Sequence, residues 1–264
     1  MTNKPKIKIL VAYHKNFPIL KTNVLIPIQV GRSISKEKLD MIGDDTGKNI
    51  SNKNPNYCEL TALYWAWINQ NKLDNPDYIG LFHYRRFFDF KDSGEQFFYD
   101  FSKKTCDNFG LNDETIIKYC QNYDIISAPI IDVHPPFKDN KTISVKKLYK
   151  ISHRLSDLKT TLKVIKEKYP DYYQPAKDYF NSKKSSYFNM VIMKKEIFNN
   201  YCQWLFDILF EVEKRIKIPS DPYQSRVFGF LAERLLNIYI KYHNIKNFKL
   251  KIGYISSTIE VKIK

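Results

Sequence analysis

No stretch of this 264-residue sequence stays apolar for anything near the ~18 residues that a membrane-crossing helix needs. The apolar segment Ile9 to Ala12, behind the basic start Met1 to Lys8, is also too short for a signal-peptide core, so residence in the cytoplasm is expected. Cysteine is sparse. Cys58, Cys106, Cys120 and Cys202 are widely spaced and form no Cys-x-x-Cys pair, which argues against a zinc site or a disulfide frame and for reduced thiols. There is no internal repeat, no long low-complexity tract and no Asp-x-Asp triplet. The one Glu-x-Glu, Glu211 and Glu213, falls in a helical stretch and reads as a solvated face.

Positive charge and aromatic surface are what the chain has in abundance. Lys and Arg number 43 against 28 Asp and Glu, a formal net charge of +15. Such a surplus attracts anions: nucleic acid, an acidic membrane face or phosphorylated small molecules. Spread evenly, it serves solubility alone. No nucleic-acid partner is expected, because the basic residues are dispersed and no ribonucleoprotein-type motif occurs; a basic nucleic-acid-binding domain is the alternative class of function. Tyr 19, Phe 18 and Trp 3 make up 15% of the chain, enough for a sizeable core and for stacking sites.

The hydrophobic pattern predicts strands over Ile7 to Tyr13, Val24 to Val30, Tyr78 to Phe88, Asp124 to Ser127, Phe188 to Met193 and Lys249 to Ser256. Helices are predicted over Tyr57 to Asn69, Asp113 to Tyr123, Lys195 to Arg215 and from Pro222 to about Tyr242, with Asp221 or Ser220 as the last one's N-cap. A basic helical block, Ser144 to Phe180, is broken at Pro170 and Pro175 and follows a Pro-rich loop, Ala128 to Phe137. Alternating strands and helices make this an α/β protein with a mainly parallel central sheet flanked by helices. The expected organisation is one domain over 1–264: a first half, 1–127, a helical insertion, 128–187, and a second half, 188–264.

Four groups of residues could carry chemistry. In the run Tyr78 to Phe88 the apolar first half is buried, so His83, Arg85 and Arg86 emerge at the carboxyl end of a strand, where open α/β sheets bind ligands. Read as one strand, it puts His83 and Arg85 on one face and Tyr84 and Arg86 on the other. Two guanidiniums there suit a diphosphate, each fork donating two hydrogen bonds; the plainer role is a salt bridge that holds a loop. Gly43-Asp44-Asp45-Thr46-Gly47-Lys48-Asn49 is a turn whose carboxylates could meet a ribose, a base or a divalent ion, or satisfy only the turn itself. Tyr13, His14 and Lys15 end the first strand, where a ring can stack on a base and His14 or Lys15 can meet a phosphate. Tyr223, Arg226, Phe230 and Glu233 follow helical spacing, with Asp221 just before them as a general base or simply a cap. His153, in the basic block, is a lone candidate that reads as structural.

Taken in order, Tyr13 to Lys15, Gly43 to Gly47, Tyr57 to Trp67, Tyr78 to Phe88, Phe188 to Glu196 and Arg226 to Leu236 resemble a bacterial glycosyltransferase family. The family is catalogued as domain of unknown function four-four-two-two and is common in capsule, exopolysaccharide and O-antigen gene clusters. The resemblance implies a GT-A-like fold with the nucleotide-sugar site on the first half of the sheet and the acceptor on the second. It implies that Tyr13, Asp45, Asn49, Asn54, Tyr57 and Glu59 line the nucleoside pocket. His83, Arg85 and Arg86 fall where other GT-A enzymes place metal-binding carboxylates, and the missing Asp-x-Asp spacing fits a cationic pair that neutralises the departing diphosphate directly. The alternative is a divalent metal, Mn or Mg, held by Asp44, Asp45 and His83.

The function so implied is transfer of a hexose from a nucleotide diphosphate sugar to a growing, lipid-linked glycan; an inactive sugar-nucleotide-binding partner subunit is the other reading. An inverting enzyme needs a carboxylate base, for which Asp221 and Glu233 are the candidates, with Asn189 and Arg226 positioning the sugar. A retaining one does not. The basic helices between Ser144 and Lys168 could hold the protein against the inner, anionic face of the plasma membrane.

Overall fold

A computed structural model of the chain describes residues 4–136 and 141–255. Phe137 and Ser256, the predicted ends of two segments, lie outside the described residues. The strands are β1 (Ile7–Tyr13), β2 (Leu25–Gln29), β3 (Ile42–Gly43), β4 (Tyr78–His83), β5 (Arg86–Phe88), β6 (Phe97–Phe98), β7 (Ile125–Ser127), β8 (Ile131–Asp132), β9 (Lys184–Ser185), β10 (Val191–Lys194), β11 (Asn247–Lys249) and β12 (Ile252–Ile255). The α-helices are α1 (Asn54–Tyr57), α2 (Leu60–Ile68), α3 (Lys103–Phe109), α4 (Asp113–Cys120), α5 (Val145–Ser152), α6 (Leu155–Lys168), α7 (Tyr173–Asn181), α8 (Lys195–Arg215) and α9 (Val227–His243).

The central sheet runs β11-β7-β10-β4-β1-β2-β3. It is parallel from β4 through β1 and β2 to β3, and again between β7 and β11; β10 alone runs against its neighbours β4 and β7. β1 is apolar from Ile9 onward because both faces are covered there, while the half-buried Lys8 near its start reaches the Asn23 carbonyl at 3.0 Å. Leu10 and Ala12 join the core under α2, α8 and α9, while Ile9, Val11 and Tyr13 join the core shared with α3 and α4. The insertion helices α5, α6 and α7 pack into the first of these cores through Tyr149, Leu158, Val164, Ile165 and Phe180. Their lysines face outward: Lys146, Lys147 and Lys150 on α5 and Lys159, Lys163 and Lys166 on α6 are exposed. Among the described residues no helix is long and apolar enough to cross a membrane.

The largest departure from expectation decides the site. Tyr78 to Phe88 is not one strand. β4 ends at His83, the chain reverses through Tyr84 and Arg85, and β5 returns antiparallel with His83 opposite Arg86. The reversal lets Phe82, Phe87 and Phe88 pack edge to face in one cluster instead of facing opposite sides of a strand. The last predicted strand also divides, into β11 on the sheet edge and β12, which pairs with β5 and β6.

Two proline expectations resolve differently. Pro170 opens a 3₁₀ turn that separates α6 from α7, whereas Pro175 sits in the first turn of α7, where no backbone N–H is needed. The predicted helix from Pro222 begins later, at Val227. Asp221 instead accepts the Gln224 N–H at 2.7 Å and so braces the lead-in to a 3₁₀ turn, Gln224–Arg226, whose N-cap residue is Tyr223. α3 and β6, short and weakly patterned, carry no sequence signal.

Candidate active site

A cleft of about 610 Å³ opens at the carboxyl ends of β1 and β4, where a parallel sheet presents its loops. His14 enters from the end of β1, His83, Arg85 and Arg86 from the β4–β5 reversal, Asn54, Cys58 and Glu59 from the α1–α2 junction, and Arg226 from the turn before α9. A larger depression, about 930 Å³, runs along α3, but its Lys103 is already paired with Asp107 at 2.5 Å.

The arginines sort themselves by partner. The chain has seven. Arg32, Arg154, Arg215 and Arg234 each meet a carboxylate. Arg85, Arg86 and Arg226 meet none among the described residues, and all three line the cleft. Arg85 lies 5.1 Å over the Tyr84 ring. Arg86 is held between the rings of Phe188 at 4.6 Å and Tyr254 at 5.9 Å, with its Nε buried and unpartnered. Arg226 donates its Nε–H to Cys58 Sγ at 3.3 Å. Cationic side chains gathered without a carboxylate in ion-pair contact make an anion site, although Glu59 lines the same cleft and acts on Arg226 through its charge. The field registers on His14, whose pKa is pulled down by loss of solvation and then by Lys15, Arg85, Arg226 and His83.

Opposite these charges stands Glu59. Its Oε1 accepts from Asn189 Nδ2 at 2.7 Å, and its Oε2 has no partner among the described residues. Asn189 is buried, donates also to the Gly229 carbonyl at 3.2 Å, and leaves its Oδ1 unpartnered. Glu59 is the N-cap residue of α2, where the helix dipole favours a carboxylate.

Backbone strain concentrates here. Cys58 (φ 52°), Phe188 (φ 81°) and Asn189 (φ 52°) all adopt the left-handed region without being glycine. Phe188 is clamped at both backbone groups: its N–H donates to Glu233 Oε1 at 2.9 Å, and its carbonyl accepts from His83 Nε2 at 2.5 Å. A carbonyl only accepts, so Nε2 carries the proton. Burial pushes the Cys58 thiol up to about 12, helped by Glu59 and opposed by Arg226, so it stands in the cleft as a neutral thiol.

Several sequence candidates are committed elsewhere. Tyr13 is fully buried on the α3–α4 side, its hydroxyl bonded to the backbone of Pro18 and Leu20, so it cannot stack on a base. Tyr57 is equally buried, stacked on Phe228 at 4.4 Å and bonded to Glu213. Glu213 also takes Lys53 at 2.6 Å, so it is not a merely solvated residue. Asn49 folds back on its own turn. Lys15 follows His14, is half-buried and is not among the residues that line the cleft. Glu233 is no free base: one oxygen takes the Phe188 N–H and the other pairs with Arg234. Its pKa is raised, first by burial and then by Glu59, against the pull of Arg234, Phe188 N–H and His83. His153 stacks on Phe230 at 4.0 Å beside the insertion and reads as structural.

Asp44, Asp45 and His83 do not make a metal site. The Asp44 carboxylate is fully buried and takes the N–H groups of Gly31 and Arg32 and the Ser51 hydroxyl. Asp45 faces Arg32 at 3.9 Å, and His83 is spent on Phe188. Among the described residues no three His, Cys, Asp or Glu side chains gather for a metal. Asp44→Ala leaves three buried donors unpaired, and the expected loss is about 3 kcal/mol, or roughly 6–12 °C in Tm. EDTA on the wild-type protein is expected to leave Tm unchanged; a matching drop would make Asp44 a ligand after all.

This sheet with its cleft is a glycosyltransferase fold, and the chain belongs to the family described as "Domain of unknown function (DUF4422)", which matches residues 8–244. A solved structure, that of the WbbM bifunctional glycosyltransferase in its apo form, is similar to it with a TM-score of 0.88 and 31% identity over 96% of this chain. The chain spans 46% of that protein's length. A search of curated proteins found no match.

Two contributors to the site escaped the sequence reading. Phe188 reads in the sequence as the start of a strand, although an aromatic residue preceding a strand that runs against β4 must lie at the cleft end of the sheet. Cys58 reads there as one of four reduced thiols.

Proposed function

We propose that this chain is a glycosyltransferase that moves a hexose from a nucleotide diphosphate sugar to a growing, lipid-linked cell-surface glycan. The reading rests on one observation above all: the arginines without carboxylate partners converge on one cleft of a glycosyltransferase fold. Arg85 and Arg226 take the diphosphate, and Arg86, with its buried unpartnered Nε, completes the cationic wall. As the glycosyl bond breaks, negative charge grows on the leaving diphosphate, and donors already fixed there stabilise it without reorganising. Glu59, with an uncommitted oxygen held steady by Asn189, is the group that takes the acceptor hydroxyl's proton where the reaction requires it. Asp221 braces its turn and takes no part.

The test is a thermal-shift panel of UDP, GDP, CDP and dTDP. A diphosphate at about a hundred times its Kd adds about 2.7 kcal/mol, which for a domain of this size raises Tm by roughly 5–11 °C. The shift is expected to survive EDTA. No shift with any of the four overturns the reading.

The exposed lysines of α5 and α6 suit the anionic bilayer that would carry such an acceptor. Vesicles containing phosphatidylglycerol are expected to co-sediment the protein at low salt and neutral phosphatidylcholine vesicles not to; equal sedimentation with both removes the membrane from the account.

A further inference from the structure

Behind the arginine cleft lies a second hollow, of about 350 Å³, on the β7–β10 side of the sheet. Its walls are the side chains of Tyr187, Phe188 and Tyr254, with Ala128 and Ile131 on the far side and Gln96 at the rim. The two cavities share a partition. Phe188 and Tyr254 meet edge to face at 6.2 Å, and the Arg86 guanidinium, which lines the first cleft, lies against both rings. Phe188 is the residue held in a left-handed backbone by His83 and Glu233, so its ring is fixed by two site side chains rather than by local preference.

A hollow with aromatic walls and a polar rim suits a ligand with apolar C–H faces and hydroxyl edges. Its size falls in the range of small-molecule sites, roughly 300–1,000 Å³. We propose that this hollow is a subsite for the acceptor glycan: it holds a pyranose ring next to the reacting sugar, stacked on Tyr254 and Phe188, on the opposite side of Arg86 from the nucleotide, while the reacting hydroxyl meets Glu59 in the cleft. The assignment rests on the transferase reading above. It also gives Arg86 a place between donor and acceptor, lining the cleft on one side and packing against the two rings of the hollow on the other.

Saturation-transfer NMR with methyl glycosides of glucose, galactose, mannose and rhamnose tests it. Saturation is expected to reach the ring protons of at least one glycoside and to persist when UDP, GDP, CDP and dTDP are added together. Tyr254→Ala removes a stacking face. Ile131→Trp fills the hollow from a half-exposed position on β8, with an unchanged Tm as the check that the fold is intact. Each is expected to cut the signal at least fivefold. No saturation with any glycoside, displacement by the nucleotides, or an unchanged signal in both variants overturns the subsite. Nucleotides that raise Tm without any glycoside signal defeat this inference and leave the transferase reading standing. A glycoside signal with no nucleotide shift defeats that reading and the acceptor role with it.

Discussion

Arg85→Ala is expected to lower kcat for glycosyl transfer by about 10²–10³-fold, the loss of one preorganised donor to a developing anion, worth roughly 3–4 kcal/mol. Its guanidinium meets no carboxylate among the described residues and rests only on Tyr84, so the fold loses little with it. Tm is therefore expected to stay within about 2 °C of wild type. That pairing of a large kinetic effect with a small stability effect separates this arginine from Arg234, which is buried against Glu233 and whose removal would leave a buried charge alone. Arg85→Lys keeps the charge but not the two-pronged geometry, and an intermediate rate is expected. Nucleotide affinity, read by the thermal-shift panel, should fall less than kcat if the arginine acts mainly as charge develops. An unchanged kcat in Arg85→Ala would remove the leaving-group role.

How much of this was legible beforehand depends on the kind of information each residue needed. β1 was readable because a doubly covered strand is apolar over nearly its whole length, here everywhere but Lys8, and its bounds emerge as predicted. The convergence of His14, His83 and Arg85 was readable because both strand ends fall on the same edge of a parallel sheet. The reversal at Tyr84–Arg85 was not. A run that is aromatic or apolar on both sides of His83, Arg85 and Arg86 looks like one strand until the packing of Phe82 against Phe87 and Phe88 shows why it folds back. Tyr13 could have been set aside from the sequence, since two-residue alternation puts it on the face of Ile9 and Val11. Asp44 could not, because its partners Gly31, Arg32 and Ser51 belong to other segments and only the folded loop brings their donors to one carboxylate.

The same limit explains the carboxylates. Asp221 and Glu233 stand out in the sequence because one precedes and the other lies on a long helix in the second half of the chain, whereas the family resemblance places Glu59 with the nucleoside. Position in the cleft and hydrogen bonding together reverse the order. Asp221 is held by the Gln224 N–H, and both oxygens of Glu233 are engaged, one fixing Phe188 and one pairing with Arg234. Glu59 alone of the three lines the cleft and keeps an oxygen open.

Glu59→Gln therefore carries the second large expectation. The amide preserves shape but cannot accept a proton, and the loss in kcat is expected to be about 10²–10⁴-fold with nucleotide binding retained. Asn189→Ala frees the carboxylate from its anchor and is expected to cost less, because the base remains but loses its orientation. Asp221→Asn should leave the rate near wild type, since asparagine braces a turn about as well as aspartate. A Glu59→Gln enzyme within tenfold of wild type would deny the base role. A large rate loss in Asp221→Asn would hand that role to Asp221 instead, and would mean that the turn Gln224–Arg226 rearranges when substrate binds, because the bond as it stands ties up the carboxylate oxygen that accepts from Gln224.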